Sequence, residues 1–200
     1  MKIIGITGGV GSGKSRVLKY IRDNYDCEII TADDIGNEVK NPGEECYKAI
    51  VDILGEGILD NDGYIDRQKM AAAIYADESL RKKVNDIIHP AVIGRIKAKG
   101  NRARSEGRPP YFFIEAALLI ECGFGSYVDE MWYIYADEDV RRRRLKEGRG
   151  YSDDKIDSIM KSQLSDAKFR EGSDHVIDNS GDISVTIKQI DERLGGKDGR

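Results

Sequence analysis

The first part of the chain passes from an apolar run through a cluster of glycines into a periodic apolar pattern. Lys2–Thr7 is mostly apolar and has the length of a strand. Within Ser15–Asn24, the apolar residues Val17, Leu18 and Ile21 recur at the spacing of one helical face. The pattern predicts a strand, a tight glycine-rich loop and a helix, in that order.

Four later segments are also rich in aliphatic and aromatic residues and have the length of strands. They are Cys27–Thr31, Tyr111–Ala116, Glu130–Tyr135 and His175–Asp178. Helical patterns follow several of them, and the last helix carries an apolar stripe at Ile183, Ile187, Ile190 and Leu194. Since strands alternate with helices, we predict an α/β fold with a parallel sheet flanked by helices.

The middle of the chain has a different pattern, because helical periodicity dominates from residue 44 to about residue 107. Asp66 is placed to cap the N-terminus of a helix in this region. Pro90 predicts a break after His89, since proline disfavours helical geometry in the residue before it.

These patterns predict one domain with an insertion. The core comprises residues 1–40 and 111–195, and residues 41–110 form the helical insertion. A second helix start is predicted at Ser152, followed by acidic residues that favour a first turn. Residues 196–200 are polar and glycine-rich, so we expect a flexible tail.

Composition narrows the choice of partner and compartment. Two hundred residues with 40% hydrophobic content can bury one sizeable core, and the net charge of −4 gives no case for nucleic acid or an anionic membrane as partner. Three widely spaced cysteines and two histidines do not form a disulfide framework or a zinc site. No signal-peptide or membrane-spanning pattern is present, so we expect a cytoplasmic protein with a small-molecule partner.

The glycine cluster Gly8-Gly9-Val10-Gly11-Ser12-Gly13-Lys14-Ser15 has the spacing of a phosphate-binding loop. Polyphosphate requires backbone amides that point inward, little side-chain bulk and a mobile cation. The residues from Gly9 to Gly13 supply the first two, Lys14 can reach the β- and γ-phosphates, and Ser15 can bind Mg²⁺. We therefore predict a P-loop NTPase-like core that uses ATP and Mg²⁺.

Other nucleotide-binding classes do not fit. The glycines do not form the Gly-x-Gly-x-x-Gly pattern of dinucleotide-binding oxidoreductases. The Asn-Lys-x-Asp pattern of GTPases is also absent.

Two acidic residues are candidates for kinase chemistry, which benefits from a carboxylate near the acceptor hydroxyl and another near the magnesium ion. Asp33 follows the second predicted strand, at the sheet edge where ligands bind in such folds. Its alternative role is a helix cap shared with Asp34. Glu115 ends an apolar strand, as a metal-binding acid would, although a surface glutamate is an equal alternative.

The helix predicted near Asp137 carries a basic run of six cations, which comprises Arg141 to Arg144, Lys146 and Arg149. Only some of these side chains can share one helical face, so we expect most of them to be solvated. Arg144 and Arg149 flank a glycine-rich break and are the better candidates for binding phosphate from a mobile lid. A nucleic-acid patch is the less favoured alternative, because no aromatic residues are interleaved with the run.

The order and spacing of these motifs resemble the dephospho-coenzyme A kinase family over nearly the whole chain. Beyond the loop and Ala32-Asp33, the resemblance rests on a series of short motifs. They are Asn41-Pro42-Gly43, Asp62-Gly63, Asp66-Arg67, Ile88-His89-Pro90, Leu118-Leu119 with Glu121, Arg144-Leu145, Ser162-Gln163 and Ile177-Asp178-Asn179-Ser180-Gly181.

The resemblance implies a nucleotide-binding core, a helical insertion that binds the acceptor, dephospho-coenzyme A, and a short lid at about residues 145–155. Asp33 would be the base for the ribose 3′-hydroxyl, and Arg144 would bind ATP phosphates with the loop. Asn179 and Gly181 would lie near the adenine. Arg67, His89, Leu118 and Arg149 would contact the acceptor, although His89 can equally be a structural histidine beside a proline.

The chain departs from the family pattern at five positions. Thr31 replaces an aspartate, Asn37 an arginine, Glu115 an aspartate and Ala117 a proline, and the second lid arginine would fall at Gly148 instead of Arg149. These departures leave open a related kinase with another acceptor, or an ATP-binding regulator without catalysis.

Overall fold

The computed structural model describes residues 1–75 and 77–195. The strands are β1 (Lys2–Thr7), β2 (Cys27–Thr31), β3 (Tyr111–Glu115), β4 (Glu130–Tyr135) and β5 (His175–Asp178). The helices are α1 (Lys14–Asn24), α2 (Ala32–Glu38), α3 (Tyr47–Leu54), α4 (Arg67–Tyr75), α5 (Glu78–Glu106), α6 (Glu138–Arg149), α7 (Asp153–Lys161), α8 (Asp166–Glu171) and α9 (Ile183–Leu194). The predicted tail, residues 196–200, lies outside the described residues.

The strands form one five-stranded parallel sheet in the order β2-β3-β1-β4-β5. The central strand β1 pairs with β3, where Ile6 is opposite Glu115, and with β4, where Ile6 is opposite Trp132. A central parallel strand is covered on both faces, which explains why β1 is a nearly continuous apolar run. The predicted strands and the parallel sheet are confirmed.

Helices α1 and α9 pack against one face of this sheet. Val17, Leu18 and Ile21 of α1 are buried in a cluster with Ile190 and Leu194 of α9 and with residues of the central strands. The apolar stripe predicted for the last helix is confirmed in part, since Thr186 is also buried on it. This packing fixes the orientation of α1, whose first turn follows the glycine loop.

A polar contact reinforces the α1–α9 packing. The Asp191 carboxylate accepts hydrogen bonds from the Tyr20 hydroxyl at 2.7 Å and from the Tyr25 hydroxyl at 2.5 Å. Burial and then the hydrogen bond to Asp191 raise the pKa of Tyr20 to about 12. The phenol is therefore neutral and donates at physiological pH.

The chain divides into two compact units, Met1–Ile29 with the residues from Glu106 onward, and Ile30–Ser105. The second unit is helical and contains α2, α3, α4 and most of α5. Ion pairs join its segments, with Arg95 2.6 Å from Glu44 and Lys99 3.0 Å from Glu38. No helix within residues 1–75 and 77–195 is long and apolar enough to cross a bilayer.

Two predicted helix starts are confirmed. The Asp66 carboxylate accepts from the amides of Gln68 and Lys69 at the start of α4. The Ser152 hydroxyl accepts from the Lys155 amide at the start of α7. In both places a side-chain oxygen satisfies an amide that the helix leaves unpaired.

The predicted break after His89 is wrong, because α5 continues through Pro90 as one helix of 29 residues. Proline removes one backbone hydrogen bond and crowds the preceding turn, at a cost of about 3 kcal/mol in a helix interior. Val84, Ile96 and Ala103 of α5 are buried on either side of this point. Their burial holds the helix together across a residue that local preference alone would exclude.

Replacement of the exposed Pro90 by Ala is expected to raise the free energy of unfolding by about 2 kcal/mol, because the helix gains a hydrogen bond and loses the clash. Denaturant unfolding followed by circular dichroism measures the change. Ala98→Gly, at an exposed position of the same helix, serves as control and should lower the free energy by about 1 kcal/mol. An unchanged or less stable Pro90→Ala protein would contradict the cost assigned to this proline.

Candidate active site

The glycine loop connects β1 to α1 at the centre of the sheet. Gly8, Gly11 and Gly13 have φ values of 148°, 79° and 88°, in the range that disfavours other residues. A Cβ at Gly8 would lie 2.5 Å from the Ile134 carbonyl oxygen, and a Cβ at Gly13 would overlap the Asn179 side-chain nitrogen. These positions therefore require glycine for steric as well as backbone reasons.

The loop presents backbone amides at the N-terminus of α1. The Ser12 amide donates to the Gly9 carbonyl at 3.2 Å. The amides of Gly11, Gly13 and Ser15 donate to no acceptor among the described residues. Amides at a helix N-terminus carry partial positive charge, so the loop is suited to bind an anion.

Lys14 and Glu115 lie together beside the loop. The Lys14 ammonium donates to the Gly8 carbonyl at 2.7 Å and lies 3.7 Å from a Glu115 carboxylate oxygen. Both side chains are mostly buried, with 15% and 18% of their surface exposed. Because β3 pairs with β1, Glu115 ends beside the strand that leads into the loop, and it is not a solvated surface glutamate.

Arg144 and Asn179 form hydrogen bonds with the backbone of the loop. The Arg144 guanidinium lies 3.3 Å from the Ser12 carbonyl oxygen and donates to the Asn179 carbonyl at 2.8 Å. The buried Asn179 side chain donates to the Ser12 carbonyl at 2.7 Å and accepts from Thr186 at 3.2 Å. The structure thus joins both predicted residues to the loop backbone.

Two further residues contact the loop, and sequence reasoning named them only as parts of longer motifs without assigning them a role there. Arg141 donates through Nε to the Val10 carbonyl at 3.1 Å, and its guanidinium covers Gly9. The Gln163 side-chain oxygen accepts from the Val10 amide at 3.0 Å. The spacing of Arg141 and Arg144, three residues apart on α6, is the signal that could have placed both on one face.

The remaining arginines of the run have different environments. Arg142 donates to Glu138 at 2.8 Å and to Asp157 of α7 at 2.5 Å, while Arg143 is exposed. Lys146 and Arg149 are exposed as well, so half of the six cations of the run are solvated, while Arg141 and Arg144 bind the loop and Arg142 joins α6 to α7. The helical pitch determines which of the four arginine side chains face the glycine loop, which faces α7 and which faces solvent.

The electrostatics of Arg144 favour an incoming anion. Burial lowers the pKa of the Arg144 guanidinium, and the positive charges of Arg16 and Arg143 lower it further. Its hydrogen bonds in the structure go to neutral carbonyl groups. A nearby phosphate would offset both the burial and the repulsion.

Other predicted residues of the first unit are exposed. Ser15 in the first turn of α1 and Gly181 after β5 are both accessible, and Leu118 is 44% exposed. Arg149 ends α6, with its guanidinium 5.9 Å from the centre of the Tyr151 ring. None of these contacts defines a ligand, so their binding roles remain predictions.

The second unit contains Asp33 on α2. The Thr31 hydroxyl caps this helix by accepting from the Asp34 amide at 3.0 Å, so the cap is neither Asp33 nor Asp34. Asp33 is exposed in the first turn. Asn37 follows at the i+4 position, on the same face of the helix.

A cavity of about 220 Å³ lies within this unit. Its polar lining comprises Asn37, Lys40, Asn41, Tyr64 and Arg67, and two apolar side chains complete it. Burial lowers the pKa of Lys40, Arg67 lowers it further, and the charge of Asp33 raises it. His89 is exposed in the middle of α5 and is not among the residues that line this cavity.

The residues at the loop fit a magnesium ion that is held mainly by phosphate and water. Mg²⁺ in such sites takes one or two protein oxygen ligands and few carboxylates. Ser15 offers an exposed hydroxyl and Glu115 a carboxylate at the end of β3. Within residues 1–75 and 77–195 no cluster of three or more metal-binding side chains is present, so a site made by protein ligands alone is not indicated.

The family model described as dephospho-CoA kinase matches residues 2–184. A dephospho-CoA kinase from Geobacillus kaustophilus is 36% identical over 187 residues, which cover 94% of this chain and 92% of that protein. Another from Aquifex aeolicus is 35% identical over 190 residues, covering 95% of this chain and 94% of that protein.

Solved structures show the same fold. A dephospho-CoA kinase from Campylobacter jejuni aligns over 96% of both chains with a TM-score of 0.72 and 18% identity. A shikimate kinase from Bacteroides thetaiotaomicron aligns over 97% of this chain and 98% of its own, with a TM-score of 0.53 and 13% identity. The predicted P-loop α/β fold is confirmed.

Gly13→Ala is expected to lower the free energy of unfolding by about 1–3 kcal/mol more than Gly43→Ala, and to weaken ATP binding. The two glycines have φ values of 88° and 87°, but only Gly13 faces Asn179, whereas a Cβ at Gly43 would meet nothing within 4 Å. The difference therefore reports displacement of Asn179. Denaturant unfolding and ATP calorimetry measure it, and equal losses in the two variants would contradict the role of this contact.

Proposed function

The chain belongs to the dephospho-CoA kinase family, and on that premise we propose that it transfers the γ-phosphoryl group of ATP to the ribose 3′-hydroxyl of dephospho-CoA. This is the last step of coenzyme A biosynthesis, and we place it in the cytoplasm. The observation that carries the proposal within the structure is the glycine loop at the N-terminus of α1, where Lys14 lies beside amides that have no acceptor among the described residues.

The loop would hold the ATP phosphates in one position for transfer. The amides of Gly11, Gly13 and Ser15 would donate to phosphate oxygens, and Lys14 would exchange the Gly8 carbonyl for a phosphate oxygen. Arg144 would turn from the loop carbonyls toward the same anion. Fixed donors stabilise charge on the transferred group without reorganisation during the step.

Magnesium would be held by Ser15 and Glu115 together with phosphate oxygens. When bound, the ion supplies positive charge that neutralises the triphosphate. Glu115 is already 3.7 Å from the Lys14 ammonium, so the carboxylate and the ammonium occupy the same side of the loop. This pairing supports a role for Glu115 near the phosphates.

Asp33 would act as the general base. Its exposed carboxylate would accept the proton of the 3′-hydroxyl as that oxygen forms a bond to the γ-phosphorus. The bond between the γ-phosphorus and the bridging oxygen to the β-phosphate breaks, and ADP leaves with the electron pair. Because Thr31 caps α2, Asp33 is not needed for capping and remains available for this proton transfer.

Residues at about 145–155 would form the lid. This segment spans the end of α6, the left-handed Gly150 with φ 63° and the start of α7. Lys146 pairs with Asp153 at 2.7 Å, so an exposed ion pair joins the two sides of the turn. Arg149 would close over the bound substrates, and residues 41–110, with Arg67 and His89, would bind the acceptor together with Leu118.

Purified protein with ATP, Mg²⁺ and dephospho-CoA is expected to produce ADP and coenzyme A. Lys14→Ala should reduce turnover by a hundredfold or more, because the loop loses its cation. Lys19→Ala is the matched control, since Lys19 lies on the same helix and pairs with Asp23 in solvent. Chromatographic detection of both products measures the reaction, and a folded, ATP-binding protein that converts no dephospho-CoA would refute the acceptor assignment.

Asp33→Asn is expected to reduce kcat by about a hundredfold or more, because the amide cannot accept the proton. The KM for ATP should change little. Asp34→Asn provides a neighbouring exposed carboxylate in the same turn of α2 and should stay within a few-fold of the parent. Steady-state kinetics with a coupled ADP assay separates the two variants, and equal activities would remove Asp33 from the role of base.

A further inference from the structure

The cavity within the second unit contains two cations without acidic partners. Lys40 and Arg67 line it, and neither forms an ion pair with another residue in the described part of the chain. Of the described residues that line the cavity, none is acidic. The hydrogen bond that the Lys40 ammonium forms within the described part of the chain goes to a neutral group, the Asn37 side-chain oxygen at 3.4 Å.

Nearby carboxylates are already engaged by other cations. Glu38 lies 3.0 Å from Lys99, and Glu44 lies 2.6 Å from Arg95. These pairs flank Lys40 in the sequence on both sides. The positive charge of the cavity is therefore not neutralised by the acidic residues next to it in the chain.

Burial makes the positive charge of Lys40 energetically less favourable. Lys40 is half-buried, and both its burial and the charge of Arg67 lower its pKa, while the charge of Asp33 offsets these effects only in part. An anion between the two side chains would offset both effects by supplying hydrogen-bond acceptors and negative charge. The volume of about 220 Å³ suits a small group and is below the 300–1,000 Å³ typical of whole drug-sized ligands.

The position of the cavity relative to Asp33 indicates which part of an acceptor would enter it. Asp33 and Asn37 are separated by about one turn of α2, a rise of about 6 Å along the axis. Lys40 follows just beyond the helix. Asp33 is also close enough to Lys40 for its charge to raise the pKa of that ammonium, so a group bound at Lys40 and Arg67 would lie within the length of a nucleotide from a ribose hydroxyl at Asp33.

We propose that Asn37, Lys40 and Arg67 form an anion-binding subsite for the diphosphate group that joins the ribose 5′-carbon to the rest of the acceptor. This inference deepens the proposed function and rests on it for the identity of the acceptor. Lys40 and Arg67 bind the diphosphate oxygens, and the Asn37 amide adds a neutral donor. The subsite selects acceptors that carry a 5′-diphosphate over nucleosides that lack one.

Binding of dephospho-CoA and of inorganic pyrophosphate is measured by calorimetry on the full chain with Lys14→Ala, which weakens anion binding at the glycine loop. Adding Lys40→Ala is expected to weaken the binding of both probes by about tenfold or more, and Arg67→Ala should act in the same direction. Lys48→Ala is the charge-matched control, since Lys48 is exposed and pairs with Asp52. It should leave both affinities within about twofold.

A rescue variant separates charge loss from structural damage. Asn37→Arg combined with Lys40→Ala returns a cation to the same cavity, because residues 37 and 40 both line it. We expect it to recover most of the lost affinity. In the protein with Lys14 intact, Lys40→Ala should raise the KM for dephospho-CoA and leave kcat and the KM for ATP within a few-fold.

The outcomes distinguish this subsite from the proposed function. Equal affinities with and without Lys40, or no binding of either probe to the Lys14→Ala protein, would overturn the subsite, even if dephospho-CoA is phosphorylated normally. Binding that depends on Lys40 in a protein that does not phosphorylate dephospho-CoA would support the subsite and refute the proposed function.

Discussion

The conformation of the glycine loop depends on the hydrogen-bond donors that its carbonyl oxygens find. Lys14 and the Ser12 amide take two of them, and donors from outside the loop take others. Arg141 binds the Val10 carbonyl, while Arg144 and Asn179 approach the Ser12 carbonyl. Each peptide plane carries its carbonyl and amide on opposite sides, so anchoring the carbonyls outward directs amides inward. Positive φ values permit the same arrangement without side-chain clashes. The anion site is therefore formed by the contacts around the loop as much as by the loop sequence itself.

The same contacts couple the loop to the segment proposed as a lid. Arg141 and Arg144 project from one face of α6, and Arg142 joins α6 to Asp157 of α7. The exposed ion pair of Lys146 and Asp153 is of a kind worth at most about 1 kcal/mol, so it can open at small cost. Under the proposed function, an anion that draws Arg144 away from its carbonyl partners would act on α6 directly. Ligand binding and the position of the proposed lid would then be linked through a few hydrogen bonds, without a large rearrangement of the core.

Local signals determined which parts of this molecule could be predicted from the sequence. The strands and the caps at Asp66 and Ser152 depend on neighbouring residues, and they were predicted correctly. Pro90 was misjudged because burial along α5 outweighs a local penalty, and burial depends on distant residues. Arg141 and Gln163 bind a loop more than 130 residues away, so sequence separation concealed them. The roles of the site residues toward substrates remain predictions, since they depend on ligand contacts.

The departure at Thr31 changes charge without changing local geometry. An aspartate at this position could accept the same hydrogen bond from the Asp34 amide that the Thr31 hydroxyl accepts, so the start of α2 and the place of Asp33 are preserved. The substitution removes one negative charge from the turn that carries Asp33. The departure is therefore compatible with the role proposed for Asp33, because the hydrogen bond that caps α2 is retained and Asp33 is left free of capping.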